Sequence, residues 1–238
     1  GQPVEEMNPS PDGGKKRRDA ASIRPSPRPE EQTAPLPEST GPSAHEVPSL
    51  PRFPAAVRIL SRISAPGMIT AVFPLVYGLP ALALFWIFTR PLPSWAFGII
   101  FVTSPLLFSA LVITVAGALS LPCQPAVRRI LIPRDLGNPI YTMRRLYGVA
   151  LCAVLYFRPV FNLVLQVPPL KVILFRLFGY RGSMRFTIYP DTWIRDLRLV
   201  HFGEDAYISN RVTVGTNIVL NDGQLYVDGV TVGRRSTI

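Results

Sequence analysis

The chain has 238 residues, a formal net charge of +10, and 48% hydrophobic residues, yet only two cysteines and two histidines. Cys123 and Cys152 have apolar neighbours and no C-x-x-C spacing, which argues against a disulfide framework. His45 and His201 are too few for a histidine-rich metal centre, so no metal is expected.

Composition divides the chain into unlike parts. Residues 1–50 hold ten of the 26 prolines, no aromatic residue, six basic and eight acidic side chains. Such a segment buries too little apolar surface to offset its ordering entropy, and the expectation is a disordered tail. The run Lys15-Lys16-Arg17-Arg18 is flanked by acidic residues and lacks stacking aromatics. It reads as a solvated charge run, and no nucleic-acid partner is expected.

Residues 51–127 read as a transmembrane helical hairpin. Between Arg62 and Arg128 the one charged residue is Arg90. The uncharged runs 67–89 and 94–119 each exceed the ~20 apolar residues needed to cross a bilayer. Arg90-Pro91-Leu92-Pro93 forms the turn, its prolines stopping one helix and starting the next. Pro74 and Pro80 are expected to kink the first span. Arg52, Arg58 and Arg62 precede the hairpin, and Arg128, Arg129, Arg134, Arg144 and Arg145 come after it. The positive-inside rule then places both ends in the cytoplasm, in an inner or plasma membrane, with the turn outside. The spans carry no ionisable residue to line a pathway, which argues against a channel or transporter.

Residues 128–180 form a basic connector. The apolar stretch 146–157 is too short to span, and Arg158, Pro159, Asn162, Gln166, Pro168 and Pro169 interrupt the chain beyond it. Residues 146–170 are therefore expected to be interfacial or re-entrant, with a full crossing as the open alternative. No Asp or Glu occurs from residue 136 to 190, whereas six arginines and Lys171 do. Such a stretch suits anionic membrane lipid, at about 1 kcal/mol per basic group near the surface.

Residues 181–238 are the last segment, and from Phe202 onward they keep a six-residue beat. Phe202, Ile208, Val214, Leu220, Tyr226 and Val232 recur at hexads, each followed by a residue that is mostly small: Gly203, Ser209, Gly215, Asn221, Val227 and Gly233. Neither a helical nor a two-residue period predicts this, but stacked short faces of a coil do. The register turns Val214 and Ile218 inward, and Thr216 and Thr231 outward. Two coils bury little and leave an open edge, which predicts that the natural protein continues past Ile238. A start at Gly1 rather than Met also reads as a fragment.

Units such as Val214-Gly215-Thr216-Asn217-Ile218-Val219 and Val232-Gly233-Arg234-Arg235-Ser236-Thr237 resemble the hexapeptide-repeat, left-handed β-helix transferases. The lead-in Lys171-Val172-Ile173-Leu174-Phe175-Arg176-Leu177-Phe178-Gly179-Tyr180-Arg181 is similar to one branch in particular. That branch is the membrane-embedded C-terminal region of polylysine-synthetase-like peptide synthetases and their stand-alone relatives. Peptide-synthetase activity is not implied, because no adenylation or carrier domain is recognisable.

The resemblance implies a homotrimer and acyl transfer from an acyl-CoA or acyl-carrier-protein thioester, with an acyl or peptidyl carrier protein as a candidate partner. It also implies a catalytic histidine after a threonine, with an acidic pair a few residues on. The matching stretch is Thr216-Asn217-Ile218-Val219-Leu220-Asn221-Asp222, so Asn217 stands where the histidine is expected. An amide orients or hydrogen-bonds an oxyanion but accepts no proton at neutral pH. The candidates are thus Asn217 and His201 as catalytic residues, with Thr216, Asn221 and Asp222 for substrate binding. A non-enzymatic trimeric scaffold in a membrane-associated biosynthetic complex is the alternative.

Overall fold

The computed structural model describes residues 53–238. The tail expected over residues 1–50, with its basic run, lies outside the described residues.

Two long apolar helices come first, α1 (Ala55–Phe88) and α2 (Ser94–Ser120). Both are long and apolar enough to cross a membrane, and only 17% and 22% of their most apolar stretches is buried inside the protein. Leu82, Phe85, Phe101 and Val102 point outward. A lipid-facing surface accounts for this, since water would penalise so broad an apolar face. At the turn, Arg90 lies 4.1 Å over the Trp86 ring and Trp95 is exposed, the aromatic belt of a membrane edge. α1 starts twelve residues before the expected span, because Arg58 and Arg62 continue the same helix beyond the apolar run. The two prolines expected to kink it, together with Pro66, are accommodated within one uninterrupted helix.

A 3-10 turn (Leu121–Ala126) and strand β1 (Ile130–Pro133) lead to three shorter helices: α3 (Pro139–Tyr156), α4 (Arg158–Gln166) and α5 (Pro168–Leu177). α3 opens on a side-chain cap: Asn138 Oδ1 accepts from the backbone N–H of Ile140 at 3.0 Å, and Pro139 takes the first helical position. α3 runs parallel to α1. Ser61 reaches Thr142 at one end, and the Tyr77 hydroxyl donates to the Ala153 carbonyl at the other. Arg62 pairs with Asp135 at 2.8 Å, and this guanidinium holds the Asp135 carboxyl below the usual carboxylate range.

The chain then bends by 80° into α4, and α5 returns to the end from which α3 left. Leu177 sits against Gly117, Gln124 donates to the Leu177 carbonyl at 2.6 Å, and Tyr147 donates to the Phe178 carbonyl at 2.8 Å. The 80° break between α3 and α4 is the shape of a re-entrant loop or of a broken span. Gly179 ends α5 with a φ of +81°, while Tyr180 N–H bonds the Phe175 carbonyl and Gly179 N–H that of Arg176. This Schellman arrangement is what the Arg-Leu-Phe-Gly lead-in encodes.

The C-terminal region is rich in short strands. β2 (Phe186–Ile188) pairs in parallel with β5 (Ala206–Ile208), β3 (Trp193–Ile194) with β6 (Thr213–Val214), and β4 (Val200–Phe202) with β9 (Val230–Val232). Phe186 partners Ala206 and Trp193 partners Thr213, twenty residues on, whereas Val200 partners Val230, thirty residues on. The difference is a hairpin. β7 (Asn217–Val219) and β8 (Gln224–Val227) are antiparallel and extend to β1 in a three-stranded sheet.

The hexad register is corrected in three ways. Phe202, Ile208, Val214 and Val232 are buried as expected, but Leu220 is exposed and Tyr226 half-exposed, because both belong to the hairpin. Ile218 is exposed for the same reason, whereas Thr216 is buried. The parallel pairing also begins earlier than expected, at Phe186. Ile188 and Ile194 are six apart, but eight residues separate Ile194 from Phe202, because a 3-10 turn (Leu197–Leu199) intervenes.

One apolar core joins the helices to the strands. Phe175, Phe178, Tyr180, Phe186 and Phe202 are all buried, with Phe186 and Phe202 ring centroids 4.8 Å apart and Phe175 and Phe186 5.2 Å apart. Gly203 packs against the strand above it: a Cβ there would meet Arg234 N at 2.5 Å and Gly233 C at 2.7 Å. Gly215, by contrast, has open space around its Cβ position. Gly203→Ala is expected to cost about 1–3 kcal/mol through overpacking, and Gly215→Ala almost nothing, in chemical denaturation of the detergent-solubilised chain.

Candidate functional site

The two departures from the strand rhythm fall at one corner, and that corner faces α3. On the first rung the chain leaves β3 through Arg195 and Asp196, the latter at φ +47°. On the second rung it leaves β6 through Gly215 and Thr216 into the β7–β8 hairpin. β3 and β6 are paired, so Asp196 and Thr216 are stacked neighbours, and the Thr216 hydroxyl donates to Asp196 Oδ2. Arg144 on α3 pairs with the same carboxylate oxygen. Both members of this ion pair are more than nine-tenths buried.

Burying two charges costs several kcal/mol per ion before their attraction offsets it, so such a pair holds geometry more than it adds stability. Here it ties the first short helix after the membrane hairpin to the corner of the strands. One polar atom is left over. Arg144 Nε is buried without a hydrogen-bond partner.

Around this pair lies a cleft of about 240 Å³. One face of α3 supplies Tyr141, Arg144, Arg145, Gly148, Val149 and Cys152, at the three-to-four-residue spacing of a single helical stripe. Arg134 comes just after β1, Arg195 and Asp196 just after β3, and Asn217, Val219 and Leu225 from the hairpin. Four guanidiniums therefore surround one carboxylate, which Arg144 and Thr216 already occupy. Among the described residues, Arg134, Arg145 and Arg195 have no carboxylate within ion-pair distance. The polar partners of two of them are neutral: Arg195 donates to Asn217 Oδ1 at 2.9 Å, and Arg145 to the Tyr141 hydroxyl at 3.3 Å. The walls become apolar through Val149, Leu151, Ile194, Val219 and Leu225.

The residues singled out in the sequence are not brought together. Asn217 lines the cleft, its Oδ1 also accepting from Arg144 at 3.3 Å, which leaves its amide NH2 to offer a ligand. Thr216 lies behind it, buried, with its hydroxyl committed to Asp196. Asn221 and Asp222 are exposed at the hairpin turn, where Asp222 accepts from Gln224 N–H as a turn former. His201 is exposed on β4, outside the cleft, with Val200 and Phe202 facing inward on either side. Among the described residues, no histidine lines the cleft and no group of three or more metal-ligating side chains occurs. Sequence reasoning missed Arg144, Asp196 and Arg195 as site residues.

No family model, curated protein or solved structure matches the chain.

Proposed function

We propose that the chain is a membrane-anchored, acyltransferase-like protein whose C-terminal region folds as a left-handed β-helix. The cytoplasmic face of an inner or plasma membrane carries its N-terminal tail and strand region in this reading. The parallel pairing supports it, its twenty-residue spacing being three hexads lengthened by the two extra residues at the Leu197–Leu199 turn, as do the positive-φ corner residues Asp205 and Arg235 and the close packing at Gly203. The β7–β8 hairpin is then an insertion at one corner of a coil. Trimerisation and the use of a CoA or carrier thioester derive from the resemblance.

The observation that carries the reading is the arginine cleft between α3 and the strand corner. In the transfer, the thioester C–S bond breaks and an acyl C–O or C–N bond forms. The proton leaves the attacking hydroxyl or amine, and a free thiol departs. The guanidiniums and the Asn217 amide are placed to hold an anionic substrate and to donate to the oxyanion of the tetrahedral intermediate. Among the described residues, the cleft supplies no imidazole base. That absence, with Asn217 Oδ1 pinned by two arginines, favours the second reading, a non-enzymatic scaffold.

Labelled acyl-CoA and acyl-carrier donors, offered to the full chain in nanodiscs with hydroxyl and amine acceptors, separate the two. Transfer is expected, with Asn217→Ala lowering its rate by up to about 10²–10³-fold and His201→Ala leaving it unchanged. Absence of transfer from every donor supports the scaffold. Loss of transfer in His201→Ala, with Asn217→Ala unaffected, moves the site away from the cleft.

A further inference from the structure

We propose that the arginine cleft binds the phosphate-ester head of a membrane-resident amphiphile, its aliphatic part lying along Val149, Leu151, Ile194, Val219 and Leu225. The inference rests on the reading of this cleft as the substrate site, and it names the substrate class.

Three features point to phosphate. The first is charge: four guanidiniums face one carboxylate, and that carboxylate is taken up by Arg144 and Thr216. A single carboxylate ligand would be satisfied by one bidentate arginine, leaving the other free guanidiniums uncompensated. A phosphomonoester carries close to two charges and three strong acceptor oxygens, which matches several forked donors at once. The second is the unpartnered, buried Arg144 Nε, whose side chain lines the cleft and is more than nine-tenths buried. A donor left unsatisfied there is costly unless a ligand oxygen meets it. The third is the Asn217 amide, held in place by Arg195 and Arg144 with its NH2 uncommitted.

Two further features point to an amphiphile in the bilayer rather than a soluble ester. The volume of about 240 Å³ fits a headgroup with the first carbons of a chain and not a whole lipid, so the remainder must lie elsewhere. The cleft is also walled by α3, which runs beside the membrane helix α1 from Ser61 to Tyr77. A tail leaving the cleft along α3 therefore meets the lipid-facing part of the hairpin.

The test is a titration of the full chain in neutral detergent with dodecyl phosphate, dodecanoate, inorganic phosphate and 4′-phosphopantetheine, read by tryptophan fluorescence. Trp193 reports on the site, because Arg195 lies 5.2 Å over its ring. Saturable binding of dodecyl phosphate is expected, tighter than that of dodecanoate. Arg134→Gln and Arg145→Gln should each weaken it by about tenfold, the loss of one charge-assisted hydrogen bond. Both side chains are exposed, so neither variant threatens the fold, and Arg181→Gln, outside the cleft, should bind as the parent does. Equal affinity for dodecyl phosphate and dodecanoate, or cleft variants that bind like the parent, overturns the phosphate site. Equal affinity for dodecyl phosphate and either inorganic phosphate or 4′-phosphopantetheine overturns the membrane-resident source. No acyl donor is present, so a failed transfer assay leaves this result standing.

Discussion

Arg144→Ala is expected to destabilise the protein by about 3–5 kcal/mol, because it strands the Asp196 carboxylate in a buried site. Thr216 would still donate one hydrogen bond, but no charge would balance the ion. A loss of that size is a large fraction of the roughly 5–15 kcal/mol that holds an ordinary domain together. The effect belongs to the orphaned charge and not to the arginine's packing. Arg144→Met combined with Asp196→Leu should therefore recover most of the lost stability, while either change alone does not. Denaturant titration of the parent, the two single variants and the double variant measures the coupling directly. If Arg144→Ala is as stable as the parent, water reaches Asp196 and the corner is not the closed junction described.

The second large effect concerns the register of the strands. Val214→Asp and Thr216→Asp each place a carboxylate in the interior, the latter directly against Asp196, at a cost of several kcal/mol. Ile218→Asp and Thr231→Asp should be nearly silent, since both side chains face out. Ile218 is the telling position, since the hexad beat alone would turn it inward, whereas it is 65% exposed. A severe defect in Ile218→Asp, with Thr216→Asp tolerated, would restore the hexad register and remove the hairpin.

The membrane helices were legible because an uncharged run longer than a bilayer is a signal of composition alone. Their ends were less so. Arg58 and Arg62 stop the apolar run but not the helix, since long basic side chains at a membrane edge cost a helix little. The start of α3 had a readable signal that went unused: Asn138-Pro139 is an N-cap residue with a proline next at the first helical position.

In the strand region the beat was real for Phe202, Ile208 and Val214. It continued by coincidence through Leu220 and Tyr226, where the chain had already turned into a hairpin. Periodicity reports which residues are apolar, and it is blind to an insertion that happens to keep step. The site was the least legible part. Arg144 and Arg145 read as surface charge among other basic residues, and Asp196 carried no signal that set it apart. The meeting of Arg144 and Asp196 across 52 positions comes from α3 docking against a corner, which no local pattern encodes. Asn217 was found only through the resemblance, and its cleft partners not at all.

Placement of the cleft on the membrane face opposite the Arg90 turn is the central claim, and cysteine accessibility tests it most directly. In a background with Cys123 and Cys152 replaced by serine, single cysteines are placed at Leu92 and Asn221 of the full chain in intact cells. An impermeant maleimide is expected to label the Leu92 position from outside, and the Asn221 position only after permeabilisation. Labelling of Asn221→Cys in intact cells would mean that the helices from α3 to α5 carry the strand region across the membrane, contradicting the proposed cytoplasmic placement of the strand region.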